Sequence, residues 1–411
     1  MERDVITVLN YPGSKKRLLD FINETVESLL PEGKTVFDIF AGTSSVGYSL
    51  KSRYKVMAND AEIYCYEIAR ALLVNNERIN FELIKSDFIK LVNSNICLLQ
   101  ETYPEVSEEE QLILDENVDG LVEFNWKLKN IWQEGYVERK CSSKYKLFTT
   151  YYSNSYFGLK QAMEIDSIRY AIEHYKNTKL YDALLVSLYF AMKENVFSKD
   201  GHMAQPLNVS DKRSILIKRR KGSILEKFFK KIQDFESEEF VVNNFDNKAF
   251  NKTLDEILES KVILEADLIY ADPPYTDMQY SRYFHLLETL TKYDYPNIST
   301  YRGKVSTGLY REYRFQSPLS QRGKAKRDLE KLIEYCANNN KIIVFSYAYP
   351  VDLEKEKSDR YTMSIEDLKS LFFKHYGEKN TLVLAENFSH CNNQNSEAKK
   401  VYEYLIVGKN K

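Results

Sequence analysis

The segment Asp272-Pro273-Pro274-Tyr275 combines residue types that could hold an amino group and a flat base. It follows the apolar run 268–271, which predicts a buried strand. Two successive prolines fix φ twice and remove two backbone donors, so the segment offers acceptors, namely the Asp272 carboxylate and the Pro273 carbonyl. Tyr275 adds an aromatic face on which a base can stack. A plain Asp-Pro turn that closes a strand explains the same residues, so the motif needs its context.

A second segment that could do chemistry lies upstream, where a predicted strand is followed by a glycine-bearing turn. The apolar run 35–40 carries Asp38 near its end, and the run 41–47 contains Gly42 and several small hydroxyl residues. Gly42 lets the backbone approach a ligand closely, and the hydroxyls can cap the next helix. In an open α/β sheet, ligands bind over such turns at the carboxyl ends of strands. The segment therefore predicts a ligand site at this edge of a sheet.

Two more segments add polar groups to the predicted site. The next predicted strand, 54–58, ends in Asn59-Asp60, and an acid at this tip can accept hydrogen bonds from two ribose hydroxyls. The same acid can also cap the helix that follows, and the two roles are compatible. The N-terminal segment 10–19 predicts a tight turn that opens a helix, where backbone donors and Lys15 could meet a carboxylate.

The order of these segments resembles one family, the Dam-like N6-adenine DNA methyltransferases (the D12 class, or α group). In that family a Pro-Gly-(Gly/Ser)-Lys turn, a Phe-x-Gly turn, a target-recognition region and Asp-Pro-Pro-Tyr follow one another. Here the corresponding residues are 12–15, 40–47, a long insert and 272–275. The segments 341–347 and 402–407 are similar to later strands of the family. The resemblance implies an S-adenosylmethionine-dependent methyltransferase with a Rossmann-like α/β sheet.

The resemblance also implies roles for individual residues. Asp272, Pro273, Pro274 and Tyr275 would hold the target base, whose amine attacks the methyl group directly, without a metal and without a covalent enzyme intermediate. Relatives place an aromatic residue and an acid beside the cofactor adenine. Phe245 and Asp246 are the candidates for this pair, and residues 86–88 are the rival assignment. The cofactor site predicted on this basis consists of Tyr11, Gly13, Lys15, Asp38, Phe40, Gly42, Thr43, Ser44, Asp60, Phe245 and Asp246.

The turn after Gly42 departs from the family pattern. Thr43-Ser44 stands where many relatives carry a second glycine. Ser44 must therefore adopt the backbone shape of that glycine, or the turn must differ slightly. The departure affects the contacts expected of Thr43 and Ser44 and leaves the location of the site unchanged.

Length and composition permit two lobes and do not by themselves indicate a polyanionic partner. The chain has 411 residues, 43% of them hydrophobic, and a formal net charge of −2, so nucleic-acid binding requires a local basic surface. The five cysteines are scattered, with no Cys-x-x-Cys pair for zinc. The sequence also has no Pro-Cys dipeptide, which argues against a C5-cytosine methyltransferase, because resemblance to that class would require a nucleophilic cysteine there. No secretory leader is found, nor an apolar run of roughly 20 residues that could cross a bilayer. These observations predict a cytoplasmic protein without a membrane partner.

Two basic stretches could contact DNA phosphates. The first, 212–231, has four consecutive basic residues at 218–221, for which a solvated surface helix is the alternative explanation. The second, 302–327, is interrupted by glycines, which is typical of a loop that can clamp phosphates. The residues predicted to bind DNA are Lys199, His202, Gln205, Arg219, Arg220, Tyr280 and Arg282.

The organisation along the chain predicts a discontinuous catalytic domain around an insert. Strands and helices alternate in 1–88 and 241–411, with strands expected at 81–88 and 240–246. Longer segments of helical periodicity fill 89–240, the expected target-recognition region.

The sequence as a whole predicts a site-specific methyltransferase acting on N6 of adenine in double-stranded DNA. A base inside the duplex cannot reach such a pocket, so it must be flipped out of the stack. A restriction-modification system is the expected setting, and a cognate endonuclease would be a separate polypeptide, because no nuclease carboxylate-lysine cluster is found. An N4-cytosine methyltransferase, which uses the same acceptors, and a catalytically silent DNA-binding subunit are the alternatives.

Overall fold

A computed structural model of the chain describes residues 6, 8–9, 15–115, 120–125, 145–198, 202–350, 360–390 and 399–410. Within these ranges a seven-stranded sheet and a separate two-stranded hairpin are found. The strands are β1 (Thr35–Asp38), β2 (Lys55–Asn59), β3 (Lys248–Phe250), β4 (Leu268–Ala271), β5 (Thr300–Tyr301), β6 (Lys304–Val305), β7 (Ile342–Pro350), β8 (Thr381–His390) and β9 (Lys399–Gly408).

Helices flank the sheet, and none of the described ones is long and apolar enough to cross a membrane. They are α1 (Leu19–Leu29), α2 (Ser45–Leu50), α3 (Ile63–Ala69), α4 (Lys85–Thr102), α5 (Pro104–Asp115), α6 (Leu147–Tyr151), α7 (Leu159–Glu173), α8 (Leu180–Asn195), α9 (Arg213–Arg220), α10 (Ile224–Glu236), α11 (Leu254–Glu259), α12 (Tyr280–Tyr283), α13 (His285–Lys292), α14 (Arg322–Asn338) and α15 (Ile365–Tyr376).

The strand order of the large sheet is β3-β2-β1-β4-β7-β9-β8. The first five strands are parallel, and β9 pairs antiparallel with both β7 and β8. Asp38 of β1 lies in register with Ala58 of β2 and with Tyr270 of β4, so the carboxyl ends of these three strands adjoin. The predicted Rossmann-like α/β fold is confirmed.

Alternate side chains of the central strands point into two hydrophobic cores, one on each face of the sheet. Val36 and Val56 pack in the first core with helices that include α1, α3 and α8. Phe37 and Met57 pack in the second core with α14 and α15. Because both faces are covered, the strands are continuous apolar runs without polar alternation, which is why the sequence pattern located them.

Helices of the predicted recognition region share the first of these cores. Ile168 of α7, Leu184 of α8 and Phe228 of α10 belong to the same cluster of buried residues as Val36 of the sheet. A boundary at residue 88 or 240 therefore does not separate two hydrophobic cores. The division into a catalytic and a recognition region remains a prediction about function.

Two predicted strands are wrong. Residues 81–88 form a short 3₁₀ turn and the start of α4. Helical geometry brings the rings of Phe81 and Phe88 within 5.4 Å of each other, and Phe88 stacks on Phe228 of α10, also at 5.4 Å. The spacing of seven residues places both rings on one helical face, and this tertiary packing decides the conformation. The predicted strand at 240–246 is irregular, and β3 begins two residues later.

Strands β7 and β9 extend beyond the carboxyl end of β4. The pairing of β4 with β7 ends at Ala271 and Phe345, whereas β7 continues alongside β9 to Pro350. Glu403 of β9 lies opposite Ala348, in this extension. The antiparallel strand can therefore contribute a side chain to the edge of the sheet where β1, β2 and β4 end.

The turn that joins β1 to α2 contains two residues in the left-handed region. Gly42 has φ 51° and Ser44 has φ 58° and ψ 22°. The backbone N–H of Ser44 donates to the Ala41 carbonyl at 2.6 Å. Ser44 thus adopts the shape expected of the glycine it replaces. Its hydroxyl is buried and has no hydrogen-bond partner among the described residues.

We predict that Ser44→Gly is more stable than Ser44→Ala by about 1 kcal/mol, measured by urea unfolding. Both changes remove the buried hydroxyl, and only glycine adopts the left-handed conformation without steric cost. The alanine variant is the matched control. An alanine variant as stable as the glycine variant would contradict the conformation of this turn.

Candidate functional site

A cavity of about 260 Å³ opens at the carboxyl edge of the sheet. Asp38 is the last residue of β1, Asp60 directly follows β2, and Asp272 directly follows β4. All three line the cavity, because their strands are parallel neighbours whose ends meet at one place. Phe315 and Pro318, from the segment after hairpin β5–β6, line it as well. The structure therefore brings the predicted cofactor segments and the predicted target-base segment together.

The turn after β1 contributes Phe40, Gly42 and Thr43 to the cavity wall. The backbone N–H of Gly42 donates to Asp60 Oδ2 at 2.9 Å, which joins the tips of β1 and β2. Thr43 is buried, with its Oγ1 3.0 Å from the Ser45 hydroxyl. Ser44 is a correction to the predicted contacts: its side chain is fully buried outside the cavity lining, so it acts through its backbone.

Asp60 accepts backbone hydrogen bonds on both carboxylate oxygens. Gly42 donates to Oδ2, and the N–H of Glu62, at the start of α3, donates to Oδ1 at 2.9 Å. Burial raises the pKa of Asp60, and these backbone donors oppose the rise. The predicted helix-capping role is not confirmed, because α3 begins at Ile63 with Glu62 as its N-cap residue, and the two donors named here lie outside the helix. The contact with ribose hydroxyls remains a prediction.

Asp38 is the buried acceptor of the cavity. Its side chain is 2% exposed, and within the described part of the chain no donor bonds to Oδ1. Burial raises its pKa well above the ordinary value, and the nearby carboxylates of Asp272 and Asp60 raise it further. A buried acceptor without a donor is costly unless a ligand supplies one. The site therefore fits a ligand that carries a hydrogen-bond donor and a positive charge.

The motif after β4 presents a carboxylate and an aromatic ring to the same cavity. Burial raises the pKa of Asp272 to about 7, while the Lys15 ammonium opposes this shift and Glu403 adds to it. The ring of Tyr275 is nearly parallel to that of Tyr361, with centroids 6.0 Å apart. Tyr275 also lines the cavity. Stacking of a base on its ring remains a prediction.

Lys15 lines the cavity and pairs with two carboxylates of the protein, while its contact with a cofactor carboxylate remains a prediction. Its Nζ lies 3.0 Å from Asp272 Oδ1 and 2.9 Å from Glu403 Oε1, and 5.6 Å from the centre of the Tyr275 ring. Burial lowers the pKa of Lys15, but the two carboxylates outweigh burial and raise it well above the ordinary value. The ammonium is therefore charged, and it lies beside Asp272 and Tyr275.

Glu403 and Ser346 are site residues that the sequence interpretation missed. Glu403 is 1% exposed, and its Oε1 also accepts from the Ser346 hydroxyl at 2.5 Å. Each residue lies within a predicted strand, Ser346 in β7 and Glu403 in β9. The available signal was one acid within the apolar and aromatic run 401–407, which is unusual in a strand buried by neighbours on both sides.

The structure contradicts the predicted contacts of Phe245 and Asp246 with the cofactor, because neither residue lines the cavity. Both residues precede β3, and the Asp246 side chain is 82% exposed at 3.9 Å from Lys55. Because β3 is parallel, its carboxyl end faces the cavity, where Thr253 and Leu254 form the lining. The rival assignment 86–88 lies in α4, away from the cavity lining.

Four of the predicted DNA-binding residues, Tyr280, Arg282, Gln205 and His202, line the cavity or are at least partly exposed. Tyr280 lines the cavity. Arg282 is exposed, and its Nε donates to the Tyr310 hydroxyl at 3.1 Å. Gln205 is exposed, and the His202 ring packs edge-on against Tyr283 at 4.7 Å. Contact of these residues with DNA remains a prediction.

Arg220 is a correction, and Arg219 has a structural contact. The Arg220 side chain is 1% exposed, with Nη1 donating to Glu110 at 2.6 Å and to Asn154 at 2.7 Å. It cannot reach a phosphate in this fold. Arg219 is half-buried and donates to two carbonyls of the segment 196–198, at 2.7 Å and 3.0 Å. Tyr11, Gly13 and Lys199 lie outside the described residues.

The chain is similar to several modification methylases. It is 24% identical to modification methylase LlaI of Lactococcus lactis subsp. lactis over 402 residues, covering 98% of this chain and 55% of that protein. It is 27% identical to modification methylase StsI of Streptococcus sanguinis over 411 residues, covering 97% and 51%. It is 24% identical to type II methyltransferase M.NlaIII of Neisseria lactamica over 409 residues, covering 97% and 98%.

The chain thus spans about half the length of the first two relatives and nearly the whole length of the third. A family model described as D12 class N6 adenine-specific DNA methyltransferase matches residues 11–313, which is more than half of the 411 residues. The cavity with its two converging motifs lies largely within that match. The chain therefore belongs to the family of D12 class N6 adenine-specific DNA methyltransferases.

Proposed function

We propose that this chain transfers a methyl group from S-adenosylmethionine to the exocyclic N6 of adenine in duplex DNA. The observation that carries the proposal is the convergence of two motifs on one cavity, the turn after β1 and the segment Asp272–Tyr275 after β4. The first supplies acceptors and backbone at strand tips, and the second supplies a carboxylate beside an aromatic ring. Membership of the family supports both the methyl donor and the target atom.

The strand tips hold the methyl donor. S-adenosylmethionine supplies a methyl group on a positively charged sulfur. Asp38, whose buried Oδ1 has no donor among the described residues, accepts from the amino group of this molecule. Asp60 accepts from the ribose, and the turn at Gly42 and Thr43 allows close approach of the backbone. The carboxylates of this wall also favour a cationic ligand over a neutral one.

The segment after β4 holds the target amine. The lone pair of an adenine amine is delocalised into the ring, so the nitrogen is a weak nucleophile. Asp272 and the Pro273 carbonyl accept its two hydrogens, which favours a pyramidal nitrogen with a free lone pair. A carboxylate whose pKa is raised to about 7 by burial is also suited to take the proton that the nitrogen loses.

A base must leave the duplex to reach this position. Tyr275 and Tyr280 line the cavity and offer rings on which the extruded base can stack. Extrusion costs a few kcal/mol, and stacking offsets part of that cost. We assign sequence recognition to the region 89–240, which follows the cofactor turn and precedes the motif after β4.

The hairpin β5–β6 is our candidate for phosphate contact, in place of Arg220. Tyr301, Arg302, Lys304 and Val305 are exposed, and the Arg302 guanidinium lies 5.2 Å from the centre of the Tyr301 ring. The segment after this hairpin runs directly to the cavity lining at Phe315. Not all of the basic stretch is available, since Arg311 is buried and paired with Asp294 at 2.6 Å.

The names of the relatives support a proposal for the biological setting. LlaI and StsI are named modification methylases, and M.NlaIII is named a type II methyltransferase. We therefore place this chain in a restriction-modification system, in which a separate endonuclease cuts the same sequence when it is unmethylated. A cytoplasmic location remains a prediction from the sequence.

We predict that Asp272→Asn lowers the methylation rate by roughly 10²–10³-fold or more, because an amide cannot accept both the amine hydrogen and the Lys15 ion pair. Binding of S-adenosylmethionine, measured by calorimetry, stays nearly unchanged, since its acceptors lie on other strands. Asp277→Asn, on an exposed residue of the following loop, is the matched control. Near-normal turnover of the Asp272 variant would refute the assigned role.

We predict that the single-turnover methylation rate falls as the pH decreases through about 7, by about tenfold per pH unit well below that value. The rate falls towards lower pH because burial raises the pKa of Asp272 to about 7, and protonation of this carboxylate removes the acceptor for the amine hydrogen. Calorimetric binding of S-adenosylmethionine at each pH separates this effect from loss of the methyl donor. A rate that is constant down to pH ~5.5 would exclude the ionised Asp272 as the acceptor.

We predict that the double variant Arg302→Ala, Lys304→Ala weakens binding to all DNA sequences and reduces the slope of log affinity against log salt by about 1.8, or about 0.9 per phosphate contact. Fluorescence anisotropy over a salt series measures both quantities. The matched control is Lys34→Ala, Lys409→Ala, two exposed lysines at the opposite edge of the sheet. An unchanged slope in the first variant would remove the hairpin from the interface.

A further inference from the structure

Glu403 is a buried carboxylate that neither sequence motif includes. Its side chain is 1% exposed, and a single oxygen, Oε1, receives both the Lys15 ammonium at 2.9 Å and the Ser346 hydroxyl at 2.5 Å. It reaches this position because β9 runs antiparallel to β7 and extends past the end of β4. Burying a carboxylate is costly, so the fold retains it against a considerable penalty.

The two carboxylate oxygens of Asp272 differ in their environment, because the Lys15 ammonium lies beside only one of them in the ion pair. Oδ1 lies 3.0 Å from Lys15 Nζ and is buried, although the Asp272 side chain as a whole is 19% exposed. The exposed surface of this side chain therefore lies on atoms other than Oδ1, on a residue that lines the cavity. An ammonium held at Oδ1 leaves Oδ2 as the acceptor that a ligand can reach.

We infer that Glu403 is a positioning residue for methyl transfer: it fixes the Lys15 ammonium against Asp272 Oδ1, so that Oδ2 faces the target amine, and it keeps the buried triad at a net charge of −1. This inference rests on the proposed function. Lys15 alone would neutralise Asp272. The second carboxylate restores a negative charge beside the place where the cationic methyl donor and the amine meet.

Structural stability alone does not explain this arrangement. Two like-charged carboxylates share one ammonium in a buried site, where their mutual repulsion is strong because the local dielectric is low. Replacing such a triad by apolar side chains of similar volume is often neutral or stabilising. The arrangement is therefore better accounted for by a requirement at the cavity than by a contribution to folding.

The charge at Asp272 depends on groups from each element around it. The charged neighbours are Lys15 from the N-terminal segment, Glu403 from β9, and Asp38 from the tip of β1, which in turn faces Asp60 after β2. The titratable phenols that face this cluster are those of Tyr270, Tyr275 and Tyr280, and burial raises the pKa of each one. Of these groups, only Glu403 contacts Lys15 from outside the cavity lining.

The test compares Glu403→Gln with Glu386→Gln, using the full chain, S-adenosylmethionine and duplex DNA. Glu386 lies directly opposite Glu403 in the β8–β9 register and is exposed, so it is a matched control. Single-turnover rates are measured across pH, and calorimetry reports binding of S-adenosylmethionine. We expect Glu403→Gln to lower the rate about tenfold or more, to leave binding nearly unchanged, and to move the acid limb to lower pH. The limb moves this way because the carboxylate that raises the pKa of Asp272 is lost.

A conservative variant separates charge from geometry. Glu403→Asp keeps the charge but shortens the side chain, so we expect a lower rate with the acid limb at its wild-type position. If Glu403→Gln does not fold, Ser346→Ala removes one hydrogen bond from the same oxygen and is expected to lower the rate without weakening binding.

Three outcomes would overturn the inference. The first is a wild-type rate and acid limb in Glu403→Gln. The second is a lower rate with an unmoved limb and a reduced melting temperature, which indicates a structural role alone. If Glu403→Gln does not fold, a wild-type rate in Ser346→Ala is the third. Failure of the proposed function is distinguishable, because the wild-type chain would then transfer no methyl group to DNA.

Discussion

The buried ammonium of Lys15 is the interaction on which the arrangement of the site depends. It lies between Asp272, after β4, and Glu403, in β9, and it also lies over the ring of Tyr275. One charged group thus connects the N-terminal segment, a parallel strand and the antiparallel strand of the sheet. Each carboxylate would be costly to bury without the ammonium, and the ammonium would be costly without them. The position of the segment Asp272–Tyr275 is therefore fixed by an ion triad and not by a loop alone.

The sheet explains how so many acceptors reach one cavity. The adjacent parallel strands β2, β1 and β4 end at the same edge of the sheet, so Asp38, Asp60 and Asp272 line a single cavity. The extension of β7 and β9 beyond β4 then brings Glu403 to that edge from the far side. A site rich in carboxylates, with one deeply held ammonium, has the charge distribution that a cationic methyl donor and a neutral amine require. Charge and topology therefore lead to the same chemistry.

Sequence reasoning located the parts of the fold and site that local patterns determine. Buried parallel strands are apolar runs, and the residues at their tips are polar, so Asp38, Asp60 and the motif at Asp272 could be found without a structure. The left-handed conformation of Ser44 was one of the two alternatives that the sequence left open for this turn. Glu403 was missed because its partner, Lys15, is 388 residues away in the chain, and no local pattern reports such a contact.

The remaining errors have identifiable physical causes. Arg220 belongs to a basic run, but it shares a helical face with the buried residues Leu216 and Ile217, and Glu110 compensates its charge. Phe245 and Asp246 were placed in a strand whose true start is at residue 248, and that shift moves them to the opposite edge of the sheet. Both errors arise from tertiary packing, which a local sequence pattern does not report.

Identification of the methylated nucleoside would show which atom of DNA this chain modifies. The purified chain is incubated with duplex DNA and S-adenosylmethionine carrying a labelled methyl group, and the DNA is digested to nucleosides and separated by mass spectrometry. The account predicts the label in N6-methyldeoxyadenosine, at one position within a defined sequence. Label found only in methylated cytosine, or no label in DNA at all, would contradict it.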